Sequence, residues 1–483
     1  MSLRAGAGRR RRRGSVPAGR RRLALLVAAV AVIAGVLAGS MRSGGLPAPP
    51  PARTAAPASG ADPFGYDSDL EAQFVARATA GNAHVLFTKS PGGALATAAR
   101  VAAWRPAIDR ATAGTKIDPA LLEGLVFVES AGRAQVIAGA DAADAAGLTQ
   151  ILAQTGQSLL GMRIDLARSR RLTGEIDAIP AGTAGRRLGS LLARRAAVDA
   201  RFDPAAELAA TVRYLQLAQR TFGRQDLAIE SYHMGIGNLQ QVLGDYDGGR
   251  PVPYGRLYFD VAPDRHRAAY ELLAGFGDDS SLYYWRVLGA VAIMRLYRTD
   301  RAALTRLAGL QADDDAGAAV LHPPDRGAPF ADPAALAAAY QSRVLVPLPT
   351  NAAALGLSFD PGIGSGTAQL GAPRSLYRGL RPVALALLID IAAEVRRLSG
   401  QAPLHVAGAV SDALYQQRLL GAADSPAATG YSFTIDRRYT SGAQAQAFQA
   451  VLDRLASLNL IAWARTPSTI EITAATDAVS WRS

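Results

Sequence analysis

The segment at 125–130 reads LVFVES and sets one carboxylate, Glu129, on the last turn of an otherwise apolar helix. Asp118-Pro119 starts that helix, an acidic N-cap with proline at the first helical position. Leu121, Leu122, Leu125, Val126 and Val128 supply a core face. Glu129 lies four residues after Leu125 and three after Val126, so it sits over that face. Partial burial and the negative end of the helix dipole both disfavour the anion and raise the carboxyl pKa. A carboxylic acid kept protonated near neutral pH is the general acid that glycosidic-bond cleavage needs. The same placement suits a partly buried salt-bridge member, so Glu129 alone names no function.

Two further motifs bear on the choice: GLTQI at 147–151 and IESYHMGIGN at 229–238. With ES at Glu129 and Ser130, they give the chain three ordered segments that resemble the soluble lytic transglycosylases, the lysozyme-like enzymes that cut bacterial peptidoglycan. Goose-type lysozymes are more distant relatives. In that family a Glu-Ser pair ends one helix, a GLMQI segment follows, and an AYNAGPGN-like segment closes the site. The approach to the last motif also matches, in RFDPAAELAATVRYLQLAQRTFG at 201–223. The resemblance covers residues 118–242, about a quarter of the chain.

The resemblance implies a mainly α, lysozyme-like catalytic domain with Glu129 as the acid that protonates the oxygen between N-acetylmuramic acid and N-acetylglucosamine. The same carboxyl would then act as base on the muramic C6 hydroxyl, which attacks C1 and closes a 1,6-anhydro ring. No second catalytic carboxylate is required, unlike most glycosidases. Tyr232 matches the family tyrosine expected near the acid or the reacting sugar, Gln150 the cleft glutamine, and Ser130 the serine after the acid. Gly147, Gly235 and Gly237 would let backbone approach the sugar. Thr149 stands where the family has methionine and His233 where it has asparagine, and 136–146 holds no serine. The expected substrate-binding set is therefore Ser130, Gly147, Thr149, Gln150, Tyr232 and His233. An arginine-rich insertion at 161–198 reads as a helical hairpin, either solvated or a lid whose arginines meet stem-peptide carboxylates.

Other chemistries fit less well. GIGN has no preceding strand and no following Lys-Ser/Thr, so it is no phosphate loop. The five histidines, His84, His233, His266, His322 and His405, are not paired at ligand spacing, and cysteine is absent. No metal and no cofactor are expected. The aromatic cluster YYWRVL at 283–288 opens a helix and reads as core, with a carbohydrate platform as the sharper alternative.

The elements that must carry this site sit behind a distinctive leader. Residues 1–22 hold nine arginines and no acid, which leaves +3 of the net +12 to the remaining chain and argues against a nucleic-acid partner. Residues 23–39, LALLVAAVAVIAGVLAG, carry no charge and suit a transmembrane signal-anchor with the arginines held in the cytoplasm. Small residues around Ala38 leave a cleaved signal as the alternative. Residues 40–63 are a Pro/Ala-rich spacer, 64–311 a helical domain, and 312–340 an acidic, proline-containing second linker.

From 341 the texture changes to a helix near 381–398 and strands at LHVAGAV, GYSFTID and TIEITA, a smaller α+β domain. It resembles the zinc D-alanyl-D-alanine carboxypeptidase-like fold. Ser425 and Gly430 match that family's pattern, but Ala427 and Thr434 stand at its His and Asp ligands and the later His falls near Glu471. The expectation is a domain without zinc ligands, which either binds stem peptide or packs against its neighbour.

The sequence thus points to a single-pass membrane protein with its catalytic part on the cell-wall side. The expected partners are peptidoglycan glycan strands, the membrane through the N-terminal helix, and cell-wall synthesis or division proteins. A hydrolytic muramidase and a non-catalytic peptidoglycan-binding scaffold are the alternatives.

Overall fold

The computed structural model describes residues 62–482 except 181, 183, 184, 313–315, 324–326, 423 and 424. The arginine tail, the apolar stretch at 23–39 and nearly all of the Pro/Ala-rich spacer lie outside the described residues. Among the described residues no helix is long and apolar enough to cross a membrane. The chain is mainly helical, with a small sheet region near its carboxy end.

The helix Pro119–Ser130 lies at the centre of the helical part. Asp118 caps it by accepting from the Ala120 N–H at 2.8 Å, and Ala131, with φ 55°, ends it in the left-handed conformation. Leu122, Leu125, Val126 and Phe127 are buried in the core. Its main neighbour is Tyr283–Thr299, and Gly124 sets their separation. A Cβ at residue 124 would lie 2.8 Å from the Val287 carbonyl oxygen, so only glycine admits this approach.

Pro204–Phe222, Gln225–Met234 and Ile236–Asp247 follow as packed helices, and Asp203 caps the first through the Ala205 N–H at 3.0 Å. The insertion folds as a hairpin of Leu166–Asp177 and Arg186–Val198, with Leu172 and Leu191 buried between its arms. The buried Arg195 ties it down by donating to Gln135 Oε1 at 2.8 Å and lying 3.8 Å over the Phe202 ring.

The segment 312–340 departs from the linker expectation. It contains the helices Gly317–Leu321 and Pro333–Gln341, and Val320, Leu321, His322 and Leu336 are buried. His322 Nε2 lies 2.6 Å from the Ala474 carbonyl oxygen and its ring stacks on Tyr431 at 3.9 Å. The apolar runs here are too short to show a period, and the one local helical signal, the Asp332-Pro333 start that repeats the pattern of Asp118-Pro119, stands in an otherwise unpatterned tract.

The strands are β1 (Val346–Pro347), β2 (Leu357–Phe359), β3 (Gly379–Leu380), β4 (Leu404–Gly408), β5 (Ser432–Asp436), β6 (Ile461–Arg465) and β7 (Thr469–Ala474). β1 and β3 form a two-stranded pair, and the others form a sheet of order β2-β4-β5-β7-β6 in which only the β2/β4 pair is parallel. Pro382–Ser399 and Gly442–Ser457 join the sheet's core, where Ile389, Val395, Phe448 and Leu452 are buried with Val406, Ile435, Ile470 and Ile472.

That core continues without a break into the helical part. Phe74 of Glu71–Gly81 meets Trp481 edge-on at 5.0 Å, and Arg454 binds Asp62 at 3.0 Å. Arg77 pairs with Asp477, Arg397 with Asp264, and Arg482 donates to the carbonyl oxygens of Pro63 and Gly65.

Candidate active site

Glu129 opens onto a cavity of about 250 Å³ lined by Lys89, Ser90, Arg133, His233, Asp279, Tyr283 and Arg286 together with apolar residues of the Glu129 helix and of His84–Thr88. Glu129 Oε1 accepts a 2.6 Å hydrogen bond from the buried Tyr283 hydroxyl, and Oε2 has no hydrogen-bond partner among the described residues. Burial pushes the Glu129 carboxyl up to about 7, and the Tyr283 hydroxyl partly offsets that by stabilising the anion. Burial and the neighbouring Glu129 charge push the Tyr283 hydroxyl well above its ordinary value, so Tyr283 stays protonated and donates. The carboxyl can therefore give and take a proton near neutral pH.

Tyr283 is also the hub of the aromatic wall. Tyr232 stacks beside it at 6.4 Å and His233 at 5.2 Å. His233 Nδ1 lies 3.1 Å from Ser280 Oγ, and burial moves its imidazole below the ordinary histidine value, against the charge of Asp279. Asp279 is the second carboxylate on the cavity wall and is held by Arg286 at 2.5 Å. Burial raises its carboxyl, but the hydrogen bond and charge of Arg286 outweigh this and leave it below the ordinary range.

The GLTQI segment is a support behind the cavity. Ser130 is buried, and its hydroxyl donates to the Leu148 carbonyl oxygen at 2.7 Å, which joins the end of the Glu129 helix to that segment. Thr149 is fully buried. Its N–H (2.8 Å) and hydroxyl (3.0 Å) donate to Glu207 Oε1, while the Leu148 N–H donates to Glu207 Oε2 at 2.6 Å. Gly147 has φ 91°, and a Cβ there would fall 2.1 Å from the Arg201 carbonyl oxygen and 2.5 Å from both Glu207 oxygens. Glycine is thus required by the Glu207 carboxylate and the Arg201 backbone, with no sugar involved. Gln150 takes φ 57° and spends its amide nitrogen on the Gly147 carbonyl oxygen at 2.7 Å. The Tyr232 hydroxyl donates to the Thr149 carbonyl oxygen at 2.8 Å, and it is Tyr283 that bonds Glu129.

Of the residues expected in the site, Glu129, Ser130 and His233 line the cavity, although Ser130 keeps its hydroxyl turned inward. Gly147, Thr149, Gln150 and Tyr232 form the shell that fixes the loop behind it. Sequence reasoning took Tyr283 and Arg286 only as part of the aromatic segment 283–288, read as core or as a carbohydrate platform, and assigned no site role to Glu207, Asp279 or Lys89. Glu207 was legible: it shares a helical face with Thr211 and Tyr214, the same pattern of a carboxylate on a buried stripe that marked Glu129.

In the helical part three carboxyls are raised by burial: Glu129 to about 7, and Glu207 and Glu230 to about 8 each. Of these three only Glu129 lines the cavity described above. Glu207 is fully enclosed by the donors of the GLTQI segment, and Glu230 is fully buried with Oε2 accepting from the Tyr284 N–H at 2.9 Å, at the start of the Tyr283 helix.

In the sheet region Thr434 and Glu471 are cross-strand partners, and Asp436 is bound by Arg438 at 2.6 Å. Among the described residues no group of three or more His, Cys, Asp or Glu is placed to hold a metal ion. No protein-family model matches the chain, and no curated protein matches it.

Proposed function

We propose that this protein is a peptidoglycan lytic transglycosylase, cleaving the β-1,4 bond between N-acetylmuramic acid and N-acetylglucosamine and leaving a 1,6-anhydro end. The observation that carries the reading is Glu129: of the two carboxyls lining this cavity it is the one without a cationic partner among the described residues, burial pushes its pKa up to about 7, and one oxygen is held by Tyr283. The protonated carboxyl gives its proton to the glycosidic oxygen as the C1–O bond breaks. The resulting carboxylate removes the proton from the muramic C6 hydroxyl as that oxygen bonds to C1. One group near pH 7 serves both transfers, and no water need enter. Tyr283 holds the carboxylate between the two steps, and the Glu207-braced GLTQI segment fixes the end of the helix that carries it.

The helical part is read as lysozyme-like, and the sheet part as a carboxypeptidase-like domain without its zinc ligands that packs against it. The leader is read as a single-pass anchor that places both on the cell-wall side. A hydrolytic muramidase is the second reading, favoured by Asp279 on the same wall; its ion pair with Arg286 makes it a weak base for water.

The deciding measurement is mass spectrometry of muropeptides released from purified sacculi by the full chain and by its Glu129→Gln variant. Anhydro-muramic ends that vanish in the variant support the transglycosylase. Reducing ends would move the assignment to the muramidase, and binding without release by either protein would move it to a peptidoglycan scaffold.

A further inference from the structure

The charged groups around the Glu129 cavity do not balance. Five line it: Lys89, Arg133 and Arg286 against Glu129 and Asp279. Asp279 is committed to Arg286 at 2.5 Å, and Glu129 is committed to the Tyr283 hydroxyl. Lys89 and Arg133 are exposed at the cavity wall, and among the described residues neither forms a contact ion pair with a carboxylate, although the Lys89 charge reaches Asp279. Arg133 is held in place by its Nε, which donates to the Ser130 carbonyl oxygen at 3.0 Å, so its two terminal nitrogens remain for a ligand. Arg286 is 6% exposed, and its buried Nε finds no partner. Lysine is scarce in this chain, with Lys89 and Lys116 the only two, yet one of them stands here.

An arginine and a lysine outside any contact ion pair, beside a third cation already paired with Asp279, form a surface for an anion. Carboxylate is the anion that suits a planar guanidinium fork. The cavity, at about 250 Å³, falls below the roughly 300 Å³ of pockets for drug-sized ligands, so it admits about one substituted sugar ring.

We propose that Lys89 and Arg133, with Arg286 behind them, form a carboxylate-recognition subsite, so that the sugar seated beside Glu129 must carry an anionic substituent and uncharged glucosamine polymers are poor ligands. The proposal rests on the glycan-cleaving reading of the same cavity. Two carboxylates could occupy the subsite. In a strand stripped of peptide it is the lactyl carboxylate of the muramic unit. In a peptide-bearing strand the lactyl carboxyl is tied up in an amide, and the carboxylates belong to the stem peptide.

The test uses the full chain and a Lys89→Gln/Arg133→Gln double variant, both changes being at exposed side chains. Three purified glycans are compared: peptide-bearing strands, amidase-stripped strands with free lactyl carboxylates, and stripped strands whose carboxylates have been reduced to alcohols. KM and kcat for chain cleavage are measured, and equilibrium binding is measured in parallel with the double change placed on a Glu129→Gln background, where no turnover is needed. The expected result is that the double variant raises KM and Kd by about tenfold or more on a carboxylated strand, as loss of a charge-assisted hydrogen bond would do. It should leave kcat within about twofold and change nothing on the reduced strand. A loss confined to stripped strands assigns the lactyl carboxylate, and a loss confined to peptide-bearing strands assigns the stem peptide. Equal KM and Kd for variant and parent on all three glycans overturn the subsite. If the parent cleaves none of them but binding still falls in the double variant, the cleavage reading fails and the subsite stands.

Discussion

Replacing Glu129 by glutamine should make the protein more stable while removing its chemistry, and the gain should depend on pH. The Glu129 carboxyl rises from an ordinary 4.5 to about 7 because burial penalises its charge. A carboxyl whose folded-state pKa is raised binds its proton more tightly in the folded state than in the unfolded one. It costs nothing below pH 4.5, costs more as the pH climbs from 4.5 to 7, and costs a constant amount above that. At about 1.36 kcal/mol per pH unit the full cost is roughly 3.4 kcal/mol, and partial exposure at the cavity mouth reduces it to roughly 2 kcal/mol. Glutamine has nearly the same shape, keeps an oxygen for the Tyr283 hydroxyl and never ionises, so it escapes this cost. Chemical denaturation of both proteins at pH 4.5 and pH 8 reads the difference directly. The two should agree within about 0.5 kcal/mol at the acid pH, with the variant about 2 kcal/mol more stable at the alkaline pH. Equal stabilities at both pH values would refute the argument that burial tunes this carboxyl, and with it the claim that Glu129 is poised near neutrality.

Tyr283→Phe removes the donor that favours the Glu129 anion, so the carboxyl pKa should rise further and the alkaline limb of the rate profile should move up by about one pH unit; a profile of rate against pH between 5 and 10 checks this. Glu207→Gln turns one acceptor oxygen into an NH2 that faces the backbone N–H of Leu148 or Thr149, which should cost about 2–3 kcal/mol and slow cleavage without any contact to glycan. Denaturation together with single-turnover rates would separate the two effects. Gly147→Ala meets both a positive φ and overlap with Arg201 and Glu207, so it should lose at least about 3 kcal/mol, read as a fall in melting temperature.

What could be read from sequence, and what could not, is clearest in the carboxylates. Glu123, Glu129, Glu207 and Glu230 all lie buried or half-buried on apolar helix faces of the helical part. Spacing alone makes them alike. Their partners separate them, and the partners come from distant parts of the chain: Arg298 and Arg105 for Glu123, Tyr283 for Glu129, the Leu148 and Thr149 amides for Glu207, and the Tyr284 amide for Glu230. Local rules located the Asp118 cap and the strands of LHVAGAV, GYSFTID and TIEITA, because caps and alternation are properties of neighbouring residues. They were silent on Tyr283 as the residue that holds Glu129, since that bond depends on Gly124 letting two helices meet. They were equally silent on the burial of His322, which depends on a carbonyl 152 residues away.

The seam between Glu71–Gly81 and residues 477–482 has a consequence for the order in which the molecule can be completed. Glu71–Gly81 is made early on the ribosome, yet Phe74 packs on Trp481, Arg77 on Asp477, and the Pro63 and Gly65 carbonyls wait for Arg482. A chain grows at about 5–20 residues per second, so this helix spends some tens of seconds or more without its closing partners. Tyr66 and Phe259 can already flank the Phe74 ring, but the side that meets Trp481 stays uncovered through that interval, and the seam cannot close before the sheet has been made. The time between emergence and closure is therefore set by the length of the intervening chain, and it is during this wait that a chaperone would find something to hold.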